Sequence, residues 1–116
     1  MIDFACKEFY LDEIIKCSLG ITKAEFKLVK LLLDSKREWF TTQELSKELH
    51  LDLSTVQRCV KSLSEKNLLL RRQENLSSGG YLFRYQLKKR EELRQRIKDT
   101  ISRWVARVND ELDRWR

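Results

Sequence analysis

Apolar residues recur with a helical period along most of the chain and with a period of two in one stretch. Helical spacing predicts amphipathic helices over residues 3–18 and 22–34, and two shorter helices between residues 41 and 66. Residues 81–88 alternate between apolar and polar side chains, as one strand of a hairpin does. Residues 89–116 contain neither proline nor glycine and predict one long helix. The pattern predicts a mostly α fold with a small β-hairpin.

Local capping signals mark where these helices begin and end. A hydroxyl residue followed three positions later by Glu or Gln can form a capping box, in which each side chain bonds the other's backbone amide. Three such boxes are predicted: Thr22 with Glu25, Thr41 with Glu44, and Ser54 with Gln57. Gly20 and Asn67 tolerate the left-handed backbone that ends a helix, so we expect helices to end just before them.

Only a few residues, His50–Leu53, separate the two short helices between residues 41 and 66. The helices must therefore meet at a steep angle, as in a helix-turn-helix. The second of them, residues 54–66, carries Val56, Val60 and Leu63 on one buried stripe. Its opposite side presents polar side chains that suit base edges and phosphates: Thr55, Gln57, Arg58, Lys61 and Ser62.

A hairpin is predicted directly after this helix. Residues 68–73 start apolar, residues 75–80 are rich in turn formers, and residues 81–88 alternate. The alternation puts Tyr81, Phe83, Tyr85 and Leu87 on one face, which we interpret as facing the core. Arg84 falls on the other, polar face.

The order of helices, turn, hairpin and long last helix resembles the winged helix-turn-helix regulators of the TrmB-like and MarR-like group, most closely their short archaeal single-domain members. The similarity runs from about Leu19 to the C-terminus and rests on this pattern. It implies a sequence-specific regulator of transcription that binds double-stranded DNA, with helix 54–66 in the major groove and a wing, residues 68–88, on the backbone or in the minor groove. It also implies that the connector Glu38-Trp39-Phe40 adds a short third strand. Such families usually have Gly where this chain has Asn67, a departure with the same backbone consequence.

With 116 residues the chain is expected to form a single domain, 1–116. We divide it into an N-terminal helix (3–18), a winged helix-turn-helix (22–88) and a C-terminal dimerisation helix (89–116).

The last helix carries an apolar stripe with an 11-residue repeat. Its members are Leu93, Ile97, Ile101, Trp104, Val108, Leu112 and Trp115. A helix of this length would extend about 42 Å, so its far end cannot pack wholly on its own domain. We therefore predict a homodimer in which this helix forms the interface; the alternative is a helix folded back on its own core.

The formal net charge is +6, from 24 basic and 18 acidic residues, and it is unevenly distributed. Residues 54–73 carry a local charge of +4, whereas residues 41–53 carry −2. The positive excess thus coincides with the predicted recognition helix and wing, where a polyanion would bind. A solvated basic face without a ligand is the alternative.

Signals for catalysis or cofactor binding are close to absent, so we predict no enzyme, no cofactor and no metal. His50 is the only histidine, which excludes a two-histidine metal site. The three glycines are too few and too scattered for a phosphate-binding loop. Three cysteines without a signal peptide or a long apolar run favour a cytoplasmic protein that does not bind membranes. No feature identifies a small-molecule effector.

The predicted DNA contacts come from both the helix-turn-helix and the wing. They are Thr42 and Ser54 at helix N-termini, Thr55, Gln57, Arg58 and Lys61 nearest the bases, and Arg71, Arg72 and Arg84 on phosphates. Two other classes of function stay open. One is a winged-helix protein-docking module without DNA binding, which should present an apolar or mixed face. The other is RNA binding, which would need stacking aromatics on the exposed face of the wing.

Overall fold

A computed structural model of the chain describes residues 1–35 and 39–116. In chain order the elements are β1 (Ile2–Phe4), β2 (Lys7–Phe9), α1 (Leu11–Leu19), α2 (Lys23–Asp34), α3 (Thr42–Leu49), α4 (Leu53–Glu65), β3 (Leu69–Asn75), β4 (Tyr81–Leu87) and α5 (Arg90–Arg114). They fall into two compact units. The winged unit comprises residues 22–89, and the terminal unit comprises residues 1–21 and 90–116. The predicted fold class, mostly helical with a small hairpin, is confirmed, and the structure adds a second hairpin, β1–β2, that was not predicted.

The capping boxes at the starts of α2 and α3 are both confirmed. The Thr22 hydroxyl accepts from the Glu25 amide at 3.2 Å, and the Glu25 carboxylate accepts from the Thr22 amide at 2.9 Å. Thr41 and Glu44 make the same pair of bonds at 3.1 and 2.9 Å. Each box satisfies two backbone amides that the helix itself leaves without a partner.

The third predicted capping box, at Ser54 and Gln57, is wrong. α4 begins one residue earlier than predicted, at Leu53, with Asp52 as its N-cap and without a side-chain capping bond. Ser54 is therefore already inside the first turn, where it is exposed. Ser54 nevertheless still lies at the N-terminus of α4.

The turn between α3 and α4 contains three residues. His50 takes the left-handed conformation with φ 54°, and its amide donates to the Lys47 carbonyl at 3.4 Å. The Leu51 amide donates to the Ser46 carbonyl at 3.2 Å, while the Ser46 hydroxyl donates to the Leu51 carbonyl. These local bonds reverse the chain quickly enough to give the helix-turn-helix that the sequence predicts.

The wing is an antiparallel hairpin of β3 and β4. Pairing extends over seven positions, from Leu69 opposite Leu87 to Asn75 opposite Tyr81. Before the hairpin begins, Asn67 ends α4 in the left-handed conformation with φ 62°, as predicted. Only residues 66–68 separate the end of α4 from the wing.

A third segment joins the hairpin at Phe40. The Phe40 amide donates to the Tyr85 carbonyl at 2.9 Å, and the Tyr85 amide donates to the Phe40 carbonyl at 2.7 Å. The predicted third strand is thus confirmed as a bridge at one residue, with Phe40 buried. Glu38, which belonged to the same prediction, lies outside the described residues.

The core of the winged unit lies among α2, α3, α4 and the base of the wing. The α4 stripe of Val56, Val60 and Leu63 is buried, as its spacing predicts. The largest side chains that are fully buried all belong to this unit: Leu28, Val29, Leu45, Val56, Leu63 and Leu68. Each contributes about 1.5–3 kcal/mol by leaving water.

In the terminal unit, the predicted helix over residues 3–18 is wrong in its first half. Residues 2–9 form the hairpin β1–β2, with Ile2 opposite Phe9, and Ala5 in the turn takes φ 32°. The helix starts only at Leu11 and ends before Gly20, whose left-handed conformation (φ 65°) was predicted. Phe4, an apolar residue within the predicted helix, lies in β1 and is exposed rather than buried. Strands of three residues are too short for their period to be told from a helical one.

α5 packs against α1, and only the beginning of its apolar stripe is covered. Leu93 is buried and Ile97 is half-buried. The remaining members are 37 to 79% exposed: Ile101, Trp104, Val108, Leu112 and Trp115. In the described part of the chain, no helix combines the length and the apolar character needed to cross a membrane.

Candidate nucleic-acid interface

α4 divides its surface between core and solvent. Its buried stripe leaves the opposite side exposed, and this side carries Ser54, Gln57, Arg58 and Lys61. Thr55 is half-buried at its edge, where its hydroxyl accepts from Arg58 Nη2 at 3.4 Å. The exposed side therefore carries two cations and several neutral hydrogen-bonding groups, with Glu65 as its acidic residue near the C-terminus.

A groove of about 690 Å³ lies between α4 and the wing. The groove is lined from α4 by Gln57, Lys61, Ser64 and Glu65. The wing contributes Arg71, Tyr81, Phe83 and Tyr85, and the start of α3 contributes Thr42 and Gln43. Four residues that the sequence predicted as DNA contacts thus meet at one concave surface: Thr42, Gln57, Lys61 and Arg71.

Two wing arginines rest on aromatic rings. The Arg71 guanidinium lies 4.3 Å from the centroid of Phe83, and the Arg72 guanidinium lies 4.6 Å from the centroid of Trp39. A flat guanidinium over a ring gains a cation–π attraction and loses part of its freedom, while its N–H groups remain able to donate. Both arginines stay exposed, so their charges are available to an anion.

Arg84 is placed differently from the other predicted phosphate contacts. Its Nη1 donates to the Glu44 carboxylate at 3.2 Å, and its Nε donates to the Glu74 carboxylate. The hydrogen bond to Glu74 raises the pKa of the Arg84 guanidinium, and Glu44 adds to that effect. We therefore revise the prediction for Arg84: with two carboxylates already bound, it links the wing to α3 and offers little net charge to a phosphate.

An ion pair between Lys66 and the buried carboxylate of Glu25 fixes the other end of α4. Lys66 Nζ lies 3.2 Å from the carboxylate of Glu25, which is only 3% exposed. Burial alone would raise the pKa of Glu25, but hydrogen bonds with Thr22, Ser62 and Lys66 outweigh it and lower the pKa below 4.5. Burial and the negative charge of Glu25 raise the pKa of the nearby Cys59 thiol. One carboxylate thus caps α2 and holds α4 against it, which orients the exposed side of α4.

The net charge of the protein lies in the winged unit. Residues 22–89 contain 14 Lys and Arg residues and 8 Asp and Glu residues, a formal charge of +6. The terminal unit contains 10 of each and is neutral. The unit that carries the groove therefore carries the whole positive excess, and this field favours a polyanion.

The sequence missed the aromatic wall of the groove. Tyr81, Phe83 and Tyr85 were predicted to face the core with Leu87, and the register does put them on that face. Only Leu87 is buried; Phe83 and Tyr85 are half-buried, and Tyr81 is 59% exposed. The available signal was the length of the hairpin, because a strand of seven residues extends about 23 Å and outruns a small core.

Comparison with known proteins identifies the family model that this chain matches. The DnaD N-terminal domain model matches residues 10–108. The chain is also similar to an uncharacterised protein of Methanocaldococcus jannaschii, with 30% identity over 99 residues that cover 85% of this chain and 74% of that protein.

Two solved structures place the fold among transcriptional regulators. A possible transcriptional regulator from Methanosarcina mazei Go1 is 45% identical and has a TM-score of 0.92, over 99% of this chain and 96% of that one. A MarR-family regulator from Silicibacter pomeroyi has a TM-score of 0.50 at 16% identity, over 90% and 82% of the two chains, which is a likeness of fold alone. The predicted resemblance to winged-helix regulators is confirmed at this level, whereas a specifically TrmB-like relationship stays a prediction.

Proposed function

The chain belongs to the DnaD N-terminal domain family, and from this membership and its winged-helix fold we propose a non-enzymatic regulator of transcription that binds double-stranded DNA as a homodimer. The similarity to a possible transcriptional regulator supports the assignment. The single observation that carries it is the coincidence of an exposed recognition side on α4, a groove beside it and a formal charge of +6 in the same unit.

In this proposal α4 enters the major groove, where base edges carry a distinct pattern of donors and acceptors. Gln57, Arg58 and Lys61 are exposed and reach the bases, with Thr55 at the edge of the contact. Arg58 suits a guanine, because its planar fork can donate to two acceptors of that base at once.

Phosphates would be held by a separate set of groups. Thr42 and Ser54 lie at the N-termini of α3 and α4, where free backbone amides and the helix dipole favour an anion. Arg71 and Arg72 present their charges from the wing on either face of the hairpin. Phosphate contacts position the protein, whereas base contacts give it sequence preference.

Dimerisation would use the exposed stripe of α5. Ile101, Trp104 and Val108 lie past the part of the stripe that is covered within the chain. Exposed apolar surface of this kind marks an interaction site in a protein that remains in solution. Two copies of the chain would then bring two copies of α4 to two half-sites.

The proposal is tested with duplexes selected from genomic fragments, compared with scrambled duplexes by fluorescence anisotropy. Arg58→Ala should weaken the selected duplex about 5- to 150-fold, because a bidentate contact gives roughly 1–3 kcal/mol of discrimination. The scrambled duplex should be little affected. Arg103→Ala is the matched control, because Arg103 also donates to a threonine three residues earlier on an exposed helix, at 3.3 Å, but lies on α5.

Salt dependence tests the same proposal without a variant. A dimer that neutralises about 6–10 phosphates should lose about 10³–10⁵ in affinity between about 50 and 200 mM salt. A nearly flat response, or no duplex binding at the lower salt concentration, would contradict DNA binding and favour a protein-docking module instead.

A further inference from the structure

The groove between α4 and the wing has a feature that a DNA duplex does not use. Tyr81, Phe83 and Tyr85 line it at alternate positions of β4, and Tyr81 is 59% exposed. In a duplex the bases are stacked on one another, so their faces are closed to protein rings. Exposed rings beside cationic groups instead suit bases that are unpaired.

We propose that this groove binds a single-stranded nucleic acid through base stacking, as a second ligand distinct from the duplex. Alternate residues of a strand lie about 7 Å apart, so the three rings form a row along β4. An extended single strand can lie along such a row, with one base against the Tyr81 ring and another against the Arg71 guanidinium that lies over Phe83. The ligand is defined by its unpaired bases and phosphates, which DNA and RNA strands share.

Arg71 and Phe83 together extend the stacking surface. The guanidinium lies 4.3 Å from the ring centroid, and Tyr81 meets the same ring edge-on, with centroids 5.3 Å apart and an interplanar angle of 67°. Because a guanidinium is planar, its face away from Phe83 can itself carry a base. Two surfaces are therefore available to unpaired bases: the aromatic ring of Tyr81 and the outer face of the Arg71 guanidinium.

The charges at the groove fit the backbone of a single strand. Lys61 lies on the α4 wall and Arg71 on the wing wall, while Glu65 is the one acidic residue among the lining residues that the structure describes. Gln43 and Gln57 add amides that can bond the edges of unpaired bases. A groove with cations on both walls and rings along one of them is the arrangement that binds single strands with little sequence preference.

Titration of fluorescein-labelled oligo-dT and oligo-U, each of about twelve nucleotides, tests the proposal in the full-length chain. Tyr81→Ala should weaken both strands about 5- to 100-fold, the effect of losing one stacked base. Tyr81→Phe should retain the wild-type affinity, because it keeps the ring. Equal affinities for the two strands would show that the groove does not read the sugar hydroxyl, and a preference for one would identify the type of strand that the groove favours.

Tyr10→Ala is the matched control. Tyr10 is 60% exposed, nearly the same as Tyr81, but it lies in the terminal unit and its side chain makes no capping bond. It should leave the affinity unchanged. If Tyr10→Ala and Tyr81→Ala have the same effect, or if neither strand binds, the inference is overturned.

This inference can fail separately from the proposed function. Tyr81→Ala should leave the affinity for a selected duplex within about twofold, whereas Lys61→Ala should weaken both ligands, since a phosphate of either would meet that charge. Duplex binding without single-strand binding would overturn this inference alone. Single-strand binding without duplex binding would overturn the proposed function and support the inference.

Discussion

The winged and terminal units use their apolar side chains in opposite ways. Of the 16 buried hydrophobic residues in the described part of the chain, 13 belong to the winged unit. Of the 15 exposed large hydrophobic residues there, 11 belong to the terminal unit. The winged unit also carries the whole net charge of +6, whereas the terminal unit is neutral.

The contrast assigns a different task to each unit. A unit with a closed core and a charged exterior is suited to fold by itself and to bind a polyanion. A neutral unit whose helix carries a continuous exposed apolar stripe gains stability only when another surface covers that stripe. The four predictions below test this division, from the largest expected effect to the smallest.

The largest effect is expected at the exposed stripe of α5. Replacing both Ile101 and Val108 by Glu should bury unpaired charges at a dimer interface and weaken the dimer by at least about 10³-fold. Light scattering at micromolar concentration should then find monomers, while circular dichroism remains that of a helical protein. Arg103→Glu, on the opposite side of α5, should leave the dimer intact. A monomeric wild-type chain would refute the assignment of this stripe to dimerisation.

A core substitution in the winged unit should have the next largest effect. Leu45→Ala removes a side chain with 0% exposure and should lower the free energy of unfolding by about 2–5 kcal/mol. Leu70→Ala is the control, since Leu70 is 42% exposed in the same unit and should cost less than about 1 kcal/mol. Urea denaturation measures both. Equal costs would mean that the core of the winged unit is not where its stability resides.

The ion pair of the buried Glu25 with Lys66 predicts a dependence of stability on pH. The pKa of Glu25 is lower in the folded chain than its ordinary value of 4.5, so the unfolded chain binds the proton more readily. The stabilisation is therefore present above pH 4.5 and is lost as the pH falls through the folded pKa. Glu25→Gln should cost about 1–3 kcal/mol at pH 7 and less at acidic pH.

The control for this pH experiment is the exposed Glu48, whose replacement by Gln should have little effect on unfolding at either pH. If Glu25→Gln lowered stability by the same amount at neutral and acidic pH, the ion pair would not be the source of the effect.

The smallest effect is expected at Arg84, and it distinguishes a positioning residue from a phosphate ligand. Arg84→Gln should weaken duplex binding only a few-fold, because it removes the cation that pairs with the Glu44 and Glu74 carboxylates and so adds net negative charge to the winged unit. Adding Glu74→Gln should restore most of the affinity by removing one of those charges. If Arg84 instead bound a phosphate, the second substitution would not restore the affinity. The salt slope would then fall by about one for each phosphate that Arg84 no longer neutralises.

The features that local sequence predicted correctly depend on residues close together in the chain. The capping boxes at Thr22 and Thr41 close within three residues, and the left-handed ends at Gly20 and Asn67 depend on a single backbone conformation. The pairing of the wing follows from alternation over one hairpin. These interactions do not depend on the rest of the chain, so the residue types alone are enough to predict them.

The sequence failed where two local patterns were both acceptable. Residues 2–9 form a hairpin where a helical stripe was predicted, and Asp52 rather than Ser54 is the N-cap of α4. In both places the choice depends on what the segment packs against, which no short window of sequence contains.

The sequence by itself determined helices α2 to α5, the turn, the wing and the basic character of the exposed side of α4, because each arises from periodicity, capping or composition. Only the tertiary structure decided which charges are available. Arg84 meets Glu44 across 40 positions and Lys66 meets Glu25 across 41, so neither neutralisation is visible along the chain. Tyr81 likewise lies outside the core in the tertiary structure, because the wing extends beyond the part of the winged unit that covers its base. Alternation assigns a residue to a face of the hairpin, and only packing decides whether that face is covered.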